Sequence, residues 1–189
     1  DTPFGEAAEG VVYGLNNTLF SSLVPPYQLP GATWSVSPDL PEGLSIDSVS
    51  GIISGTPTEV IGNTTFTISG VADTSSITFD FNLQILEDTD RDGLPNELPE
   101  DYPVEGDLVE DLDDDGDGAL DTAETGTGIY NGTGDMGTDP LDPDTDDDGI
   151  CDGPNAVPPV CIAGPDSNPV GTGPLGPTVL VNNTETTPI

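Results

Sequence analysis

The sequence predicts a mainly β protein in two parts: a β-sandwich over residues 1–86, then a loop-rich region over residues 87–171 with little regular secondary structure. Three observations lead there. Apolar and polar residues alternate before residue 87, Asp, Gly and Pro dominate after it, and one aspartate pattern recurs three times in that second stretch. One or two domains suit a chain of 189 residues. The front part can bury an apolar interior. The back part has too few apolar residues for a core and must be held by something else.

Ile77, Phe79, Phe81, Leu83 and Ile85 alternate with Thr78, Asp80, Asn82 and Gln84, the period-two pattern of a half-buried strand. Phe66 and Ile68 repeat it upstream, and Asp73 to Ser76 supply the turn of a hairpin. Val11 to Tyr13, Leu19 to Val24, Thr33 to Val36, Gly43 to Ile46 and Gly51 to Ile53 are further short candidates, separated by Pro, Gly and Asp. Frequent turns between short strands in fewer than 100 residues favour a sandwich of about seven strands. Trp34, the only tryptophan, is expected in its core.

The aspartates of the back half have a spacing that chemistry explains. Asp113, Asp115, Asp117, Gly118, Asp121 and Glu124 occupy positions one, three, five, six, nine and twelve of a loop, with the Ala119 carbonyl at seven. Calcium takes 6–8 oxygen ligands at about 2.3–2.6 Å, and such a loop gathers them around a glycine turn. Asp144, Asp146, Asp148, Gly149 and Asp152 repeat the first nine positions, with the Ile150 carbonyl at seven and Asn155, a poorer ligand, at twelve. Asp88, Asp90, Asp92, Gly93 and Asn96 repeat them again, with the Leu94 carbonyl at seven. Pro99 stands at position twelve of that loop, so Glu100 or Glu97 must substitute. Repetition of a ligand pattern within one chain is stronger support than any single match.

One basic residue, Arg91, stands against 36 acidic ones, for a net charge of −35. Such a surface repels nucleic acid and anionic membranes and attracts cations. Roughly 3–5 bound calcium ions would offset roughly 6–10 of those charges. No apolar run approaches the roughly 20 residues of a membrane helix. Without an initiator methionine or a signal-like segment, the chain reads as the mature product of a secreted precursor. In that setting Cys151 and Cys161, the only cysteines, are expected to form a disulfide beside the third loop. Asn16, Asn63, Asn131 and Asn182 begin Asn-x-Thr sequons, candidate glycan acceptors on an external protein. Histidine and lysine are absent, which removes the usual general bases, so the chain is expected not to be an enzyme.

Trp34-Ser-Val-Ser-Pro-Asp-Leu-Pro-Glu-Gly-Leu-Ser-Ile46, followed by Ser50-Gly-Ile-Ile-Ser-Gly-Thr-Pro57, resembles the immunoglobulin-like domain repeated in bacterial and archaeal surface proteins. The likeness covers about residues 8–86 and implies an architectural module of a prokaryotic cell surface. Residues 87–171 resemble thrombospondin type 3 repeats, in which calcium substitutes for a core. Thr138-Asp-Pro-Leu-Asp-Pro-Asp-Thr-Asp146 is similar to the lead-in of such a repeat, which implies that Asp139 and Asp142 also ligate. Asp166-Ser-Asn168 could furnish a partial further site. EF-hands use the same loop but require a helix on each side, and so do dockerins. The Pro- and Gly-rich flanks of the second loop cannot supply two helices, although Leu108 to Leu112 and Leu120 to Glu124 could each form a single turn.

Residues 172–189 complete the organisation as a linker and candidate donor strand. Pro177-Thr-Val-Leu-Val-Asn182 is β-prone, and Val179, Leu180 and Val181 are expected to pair with the sandwich edge of a neighbouring copy, the rival being a tail that folds back onto its own sandwich. The reading is a calcium-stabilised structural subunit of an extracellular filament or surface assembly, with copies of itself as partners. The alternative is a calcium-dependent adhesion module, with glycans as candidate ligands, or a spacer of a larger surface protein.

Overall fold

The computed structural model describes residues 2–3 (backbone only), 11–103, 106–164, 166 and 169–171, and among these it contains eight strands and no helix. The chain divides into two compact units between Glu110 and Asp111. Asn182 and the Val179 to Val181 segment lie outside the described residues, as does Asn168.

The first unit is a β-sandwich. One sheet has the order β2, β8, β7, β4, built from Val11–Leu15, Ser75–Leu86, Ile61–Ala72 and Thr33–Ser37. The other has the order β1, β3, β6, β5, built from Thr2–Pro3, Leu23–Val24, Ile53–Gly55 and Leu44–Ile46. Strands β7 and β8 form the expected hairpin, turning at Asp73, whose φ of 46° is one an acidic residue tolerates in a tight turn. Strand β2 lies parallel to β8, with Val11 opposite Asn82 and Leu15 opposite Leu86.

Strand β8 keeps its alternation. Phe81, Leu83 and Ile85 are buried, Ile77 and Phe79 pack partly buried against the same core, and Thr78 and Asp80 face outward. Phe66 sits opposite Phe81 in register and the rings stack with centroids 5.5 Å apart. Each large side chain buried here contributes about 1.5–3 kcal/mol. Trp34 lies in this core as expected, opposite Gly70 in register, where any Cβ would press on the indole. The segment from Leu19 to Ser22 does not join a strand, and Leu19 is exposed. The strand expected at Gly51 to Ile53 begins at Ile53 instead, because Gly51, with a φ of 75°, belongs to the preceding turn.

The surface-domain motif has a backbone explanation. Gly55 pairs with Leu44 at the end of the β5–β6 ladder and Gly43 immediately precedes β5, with Gly43 at a φ of 89° and Gly55 at 136°. A Cβ on Gly43 would fall on the Thr56 carbonyl oxygen, and one on Gly55 on the carbonyl of Gly43. The first unit continues past the sandwich because Tyr102 packs edge-on against Tyr13 of β2, ring centroids 5.0 Å apart. The first Asp-rich loop therefore belongs to this unit.

The second unit is a chain of turns. Leu120–Glu124 closes one hydrogen-bonded turn, with Glu124 N–H donating to the Leu120 carbonyl at 3.2 Å. Bonds from Met136 to Ala123, Gly126 to Thr138 and Gly128 to Gly137 then bring Thr138 back beside Glu124. Cys151 and Cys161 are joined by a disulfide, and Cys151 N–H donates to the Ile162 carbonyl at 3.0 Å.

Candidate metal centres

The three loops share one hydrogen-bond scheme. At position five, the N–H of Asp92, Asp117 or Asp148 donates to the position-three carboxylate of Asp90, Asp115 or Asp146. At position seven, the N–H of Leu94, Ala119 or Ile150 donates to the position-five carboxylate at 2.7–2.8 Å. Positions four (Arg91, Gly116, Asp147) and six (Gly93, Gly118, Gly149) are all left-handed, with φ between 59° and 98°. That backbone winds the chain tightly enough for alternate side chains to converge.

Position nine closes each loop. Asn96 accepts from Thr89 N–H, Asp121 from Asp114 N–H and Asp152 from Thr145 N–H, each at 3.0 Å. Position one adds a second closure in the last two loops, where Asp113 accepts from Gly118 N–H and Asp144 from Gly149 N–H.

These bonds draw the carboxylates into clusters. One oxygen each from Asp88, Asp90 and Asp92 lies within 4.8 Å of the others, and the same holds for Asp113, Asp115 and Asp117, and for Asp144, Asp146 and Asp148. A fourth cluster joins Asp117 and Glu124 of the second loop to Asp152 of the third. Spacing along the chain assigns Asp152 to its own loop, and only the folded path brings it to Asp117. There the Asn155 N–H donates to the Asp117 carbonyl at 2.6 Å and the Gly153 N–H to the Asp117 carboxylate.

The other candidates from the sequence lie outside these clusters. Glu97 and Glu100 are exposed. Asp139 accepts from Leu141 N–H and Asp142 from Asp144 N–H, so both shape the approach to the third loop. Asn16 and Thr18, read as a sequon, hold the first loop to the sandwich: Asn16 accepts from Asp88 N–H at 2.9 Å and the Thr18 hydroxyl donates to the Asp88 carboxylate at 3.0 Å. Asn131 donates to Asp135, and Asn63 is exposed on β7. Thr138, absent from the sequence-derived ligand set, donates its hydroxyl to Glu124 at 3.0 Å and fixes that carboxylate. No spacing rule points to Thr138 in this role, because its partner is set by the path of residues 125–137.

The residues fit a hard cation. Asp88 Oδ1, Asp115 Oδ2, Glu124 Oε2 and Asp152 Oδ1 are buried and accept no hydrogen bond. Burying such an oxygen uncompensated is costly. Burial first, and then the Asp117 carboxylate, push Asp115 and Glu124 up to about 8. Burial likewise raises Asp152 to about 7 and holds Asp113, Asp144 and Asp146 above the usual carboxylate range. Several acidic clusters in this chain could therefore hold metal ions.

A pH dependence follows for the metal-free protein. Asp115, Glu124 and Asp152 keep their protons in the folded state to about 8, 8 and 7, whereas the unfolded chain releases them near 4. The stability they contribute is full below about 4 and is lost as pH rises toward about 8. Calorimetry of exhaustively dialysed protein should show the second unit melting at falling temperature as pH rises from about 4, with no transition of its own left at neutral pH. In millimolar calcium the trend should reverse, because ligands must be deprotonated to bind. A metal-free midpoint that climbs from pH 4 to 8 would contradict this account.

Comparison with known proteins separates the two units. Residues 3–86 match the family model described as "Putative Ig domain", so the front of the chain carries an immunoglobulin-like domain. No curated protein matches the chain. Among solved structures, it is similar over 40% of its length to a protein described as a putative alpha-galactosidase from Bacteroides fragilis NCTC 9343, at 31% identity and a TM-score of 0.34. A second such protein from that organism, described as a putative alpha-galactosidase/melibiase, is 23% identical over 40% of this chain, with a TM-score of 0.32. An endo-fucoidan hydrolase of glycoside hydrolase family 107 is 22% identical over 41%, with a TM-score of 0.29. The chain spans only 16%, 16% and 13% of these three proteins.

The immunoglobulin-like domain and the disulfide mark an extracellular or surface setting, and the domain is of a surface or structural kind. No helix among the described residues is long and apolar enough to cross a membrane.

Proposed function

We propose that the chain is a calcium-stabilised, non-catalytic structural module of an extracellular or cell-surface assembly of a prokaryote. One observation carries this reading: buried carboxylate oxygens without hydrogen-bond partners, in a chain whose only basic residue is Arg91. The chain cannot neutralise these clusters from its own side chains, so the positive charge comes from outside. Calcium suits donors that are all oxygen. The common hydrogen-bond scheme of the three loops supports their resemblance to thrombospondin type 3 repeats, in which bound calcium does the work of a core.

The finer reading is a filament subunit joined head to tail by strand addition. Strands β2 and β4 are the outer strands of one sheet, and residues 179–181 have the composition of a strand that could add to such an edge. A contact of that kind, repeated without closing, makes a fibre. Electron microscopy in millimolar calcium should show filaments from the full chain and monomers after deletion of residues 175–189. Normal filaments from the truncated chain would rule out the strand-addition model. A second reading, a glycan-binding adhesion module, is favoured by Tyr27, which is exposed and stacked on Phe79 with ring centroids 6.3 Å apart.

A further inference from the structure

We propose that Asp117, Glu124 and Asp152 hold a divalent cation of their own, a site shared between the second and third loops and additional to the one in each. The inference rests on the calcium reading and extends it, because the sequence assigns Glu124 to the second loop alone and Asp152 to the third alone.

The geometry distinguishes this site from the loop sites. One oxygen from each of the three carboxylates lies within 4.8 Å of the other two. All three residues are buried, Asp117 at 0% exposure, Glu124 at 2% and Asp152 at 8%. Each of the two outer members has one oxygen engaged and one left over. Glu124 accepts the Thr138 hydroxyl on Oε1, and its Oε2 accepts nothing. Asp152 accepts Thr145 N–H on Oδ2, and its Oδ1 accepts nothing. The hydrogen bonds thus fix both carboxylates in place while leaving a buried acceptor on each. Three buried carboxylates repel one another strongly at this spacing, and a shared cation converts that repulsion into attraction.

Asp117 makes the site a coupling device. It also belongs to the Asp113–Asp115–Asp117 cluster, so one buried carboxylate serves two ions. Its carbonyl and carboxylate receive the Asn155 and Gly153 N–H groups, which tie the third loop to it directly. Gly153 has to be glycine here, since a Cβ would collide with the Asp117 carboxylate and the Ala119 nitrogen. Asp152 also lines a hollow of about 290 Å³ together with Ala119, Ala123, Met136 and Gly153.

The test is a calcium count by native mass spectrometry on the full chain and on Glu124→Gln, Asp152→Asn and the double variant. Both substitutions retain the oxygen that accepts from Thr138 or Thr145 and replace the other with a nitrogen that cannot ligate. Each single variant should hold one ion fewer than the unaltered chain, and the double variant should also lose only one. If the two residues serve separate loops, the double variant loses two, and the shared site is wrong. Unchanged counts in both single variants would also overturn it. Should the variants fail to fold, the unaltered chain decides: four or more ions support the site and three or fewer exclude it. An unaltered chain that binds no calcium would sink the calcium reading itself, which separates that failure from the failure of the shared site.

Discussion

Asp117→Ala should leave the sandwich folded and make residues 111–171 sensitive to protease even in millimolar calcium. The residue is fully buried and belongs to two carboxylate clusters, so one substitution removes a ligand from both. It also strips the partner from the Ala119 and Gly153 N–H groups, each loss costing about 1–3 kcal/mol when the group stays buried. A cation at 100 times its Kd stabilises by about 2.7 kcal/mol per site, so losing two is severe for a unit with so little apolar core. Asp88→Ala is the comparison. It removes one cluster from the first unit, where Phe66, Phe81, Leu83 and Ile85 still hold the structure. Fragment mapping by mass spectrometry reads both variants, and wild-type resistance of residues 111–171 in Asp117→Ala would refute the claim.

Gly43→Ala should do the reverse, destabilising the sandwich and leaving the second unit's response to calcium unchanged. The new Cβ meets the Thr56 carbonyl, and backbone cannot swing aside as a flexible side chain can. The left-handed conformation adds its own penalty, and backbone strain of this kind costs about 1–3 kcal/mol per residue. For a domain of this size each 1 kcal/mol lowers the melting temperature by about 4–8 °C. Gly55→Ala should behave alike, since its Cβ would strike the Gly43 carbonyl. A calorimetric midpoint for Gly43→Ala within about 2 °C of the unaltered protein would show that the pair is not under this constraint.

Much of the first unit was legible because its signals are local. The alternation from Ile77 to Ile85 states which face is buried before any partner strand is known, and β8 keeps it. Leu19 was not legible in that way. It is apolar and sits in a β-prone run, yet the chain there leaves the sheet and exposes it. The continuation of the unit past residue 87 depends on Tyr102 meeting Tyr13, a contact 89 positions apart in sequence that no spacing rule announces.

The loops divide along the same line. Their aspartates were readable because a twelve-residue pattern is local, and the three short-range clusters follow from it. The fourth was hidden. Asp152 reaches Asp117 only because the 125–137 excursion closes on itself through Gly126, Gly128 and Met136, which returns the chain to the second loop. Asn16 and Thr18 spell a sequon in one dimension and a clamp on Asp88 in three.

The central claim is that cations stand in for a hydrophobic core in the second unit and not in the first. Hydrogen exchange of the full chain, followed by mass spectrometry with and without a chelator at neutral pH, tests it most directly. Chelation should abolish protection of the amides that close the second and third loops, those of Ala119, Ile150 and Gly153 among them, while the amides of β7 and β8 stay protected. Retained protection across residues 111–171 in excess chelator would show that the loops fold without bound metal, and the account would be wrong.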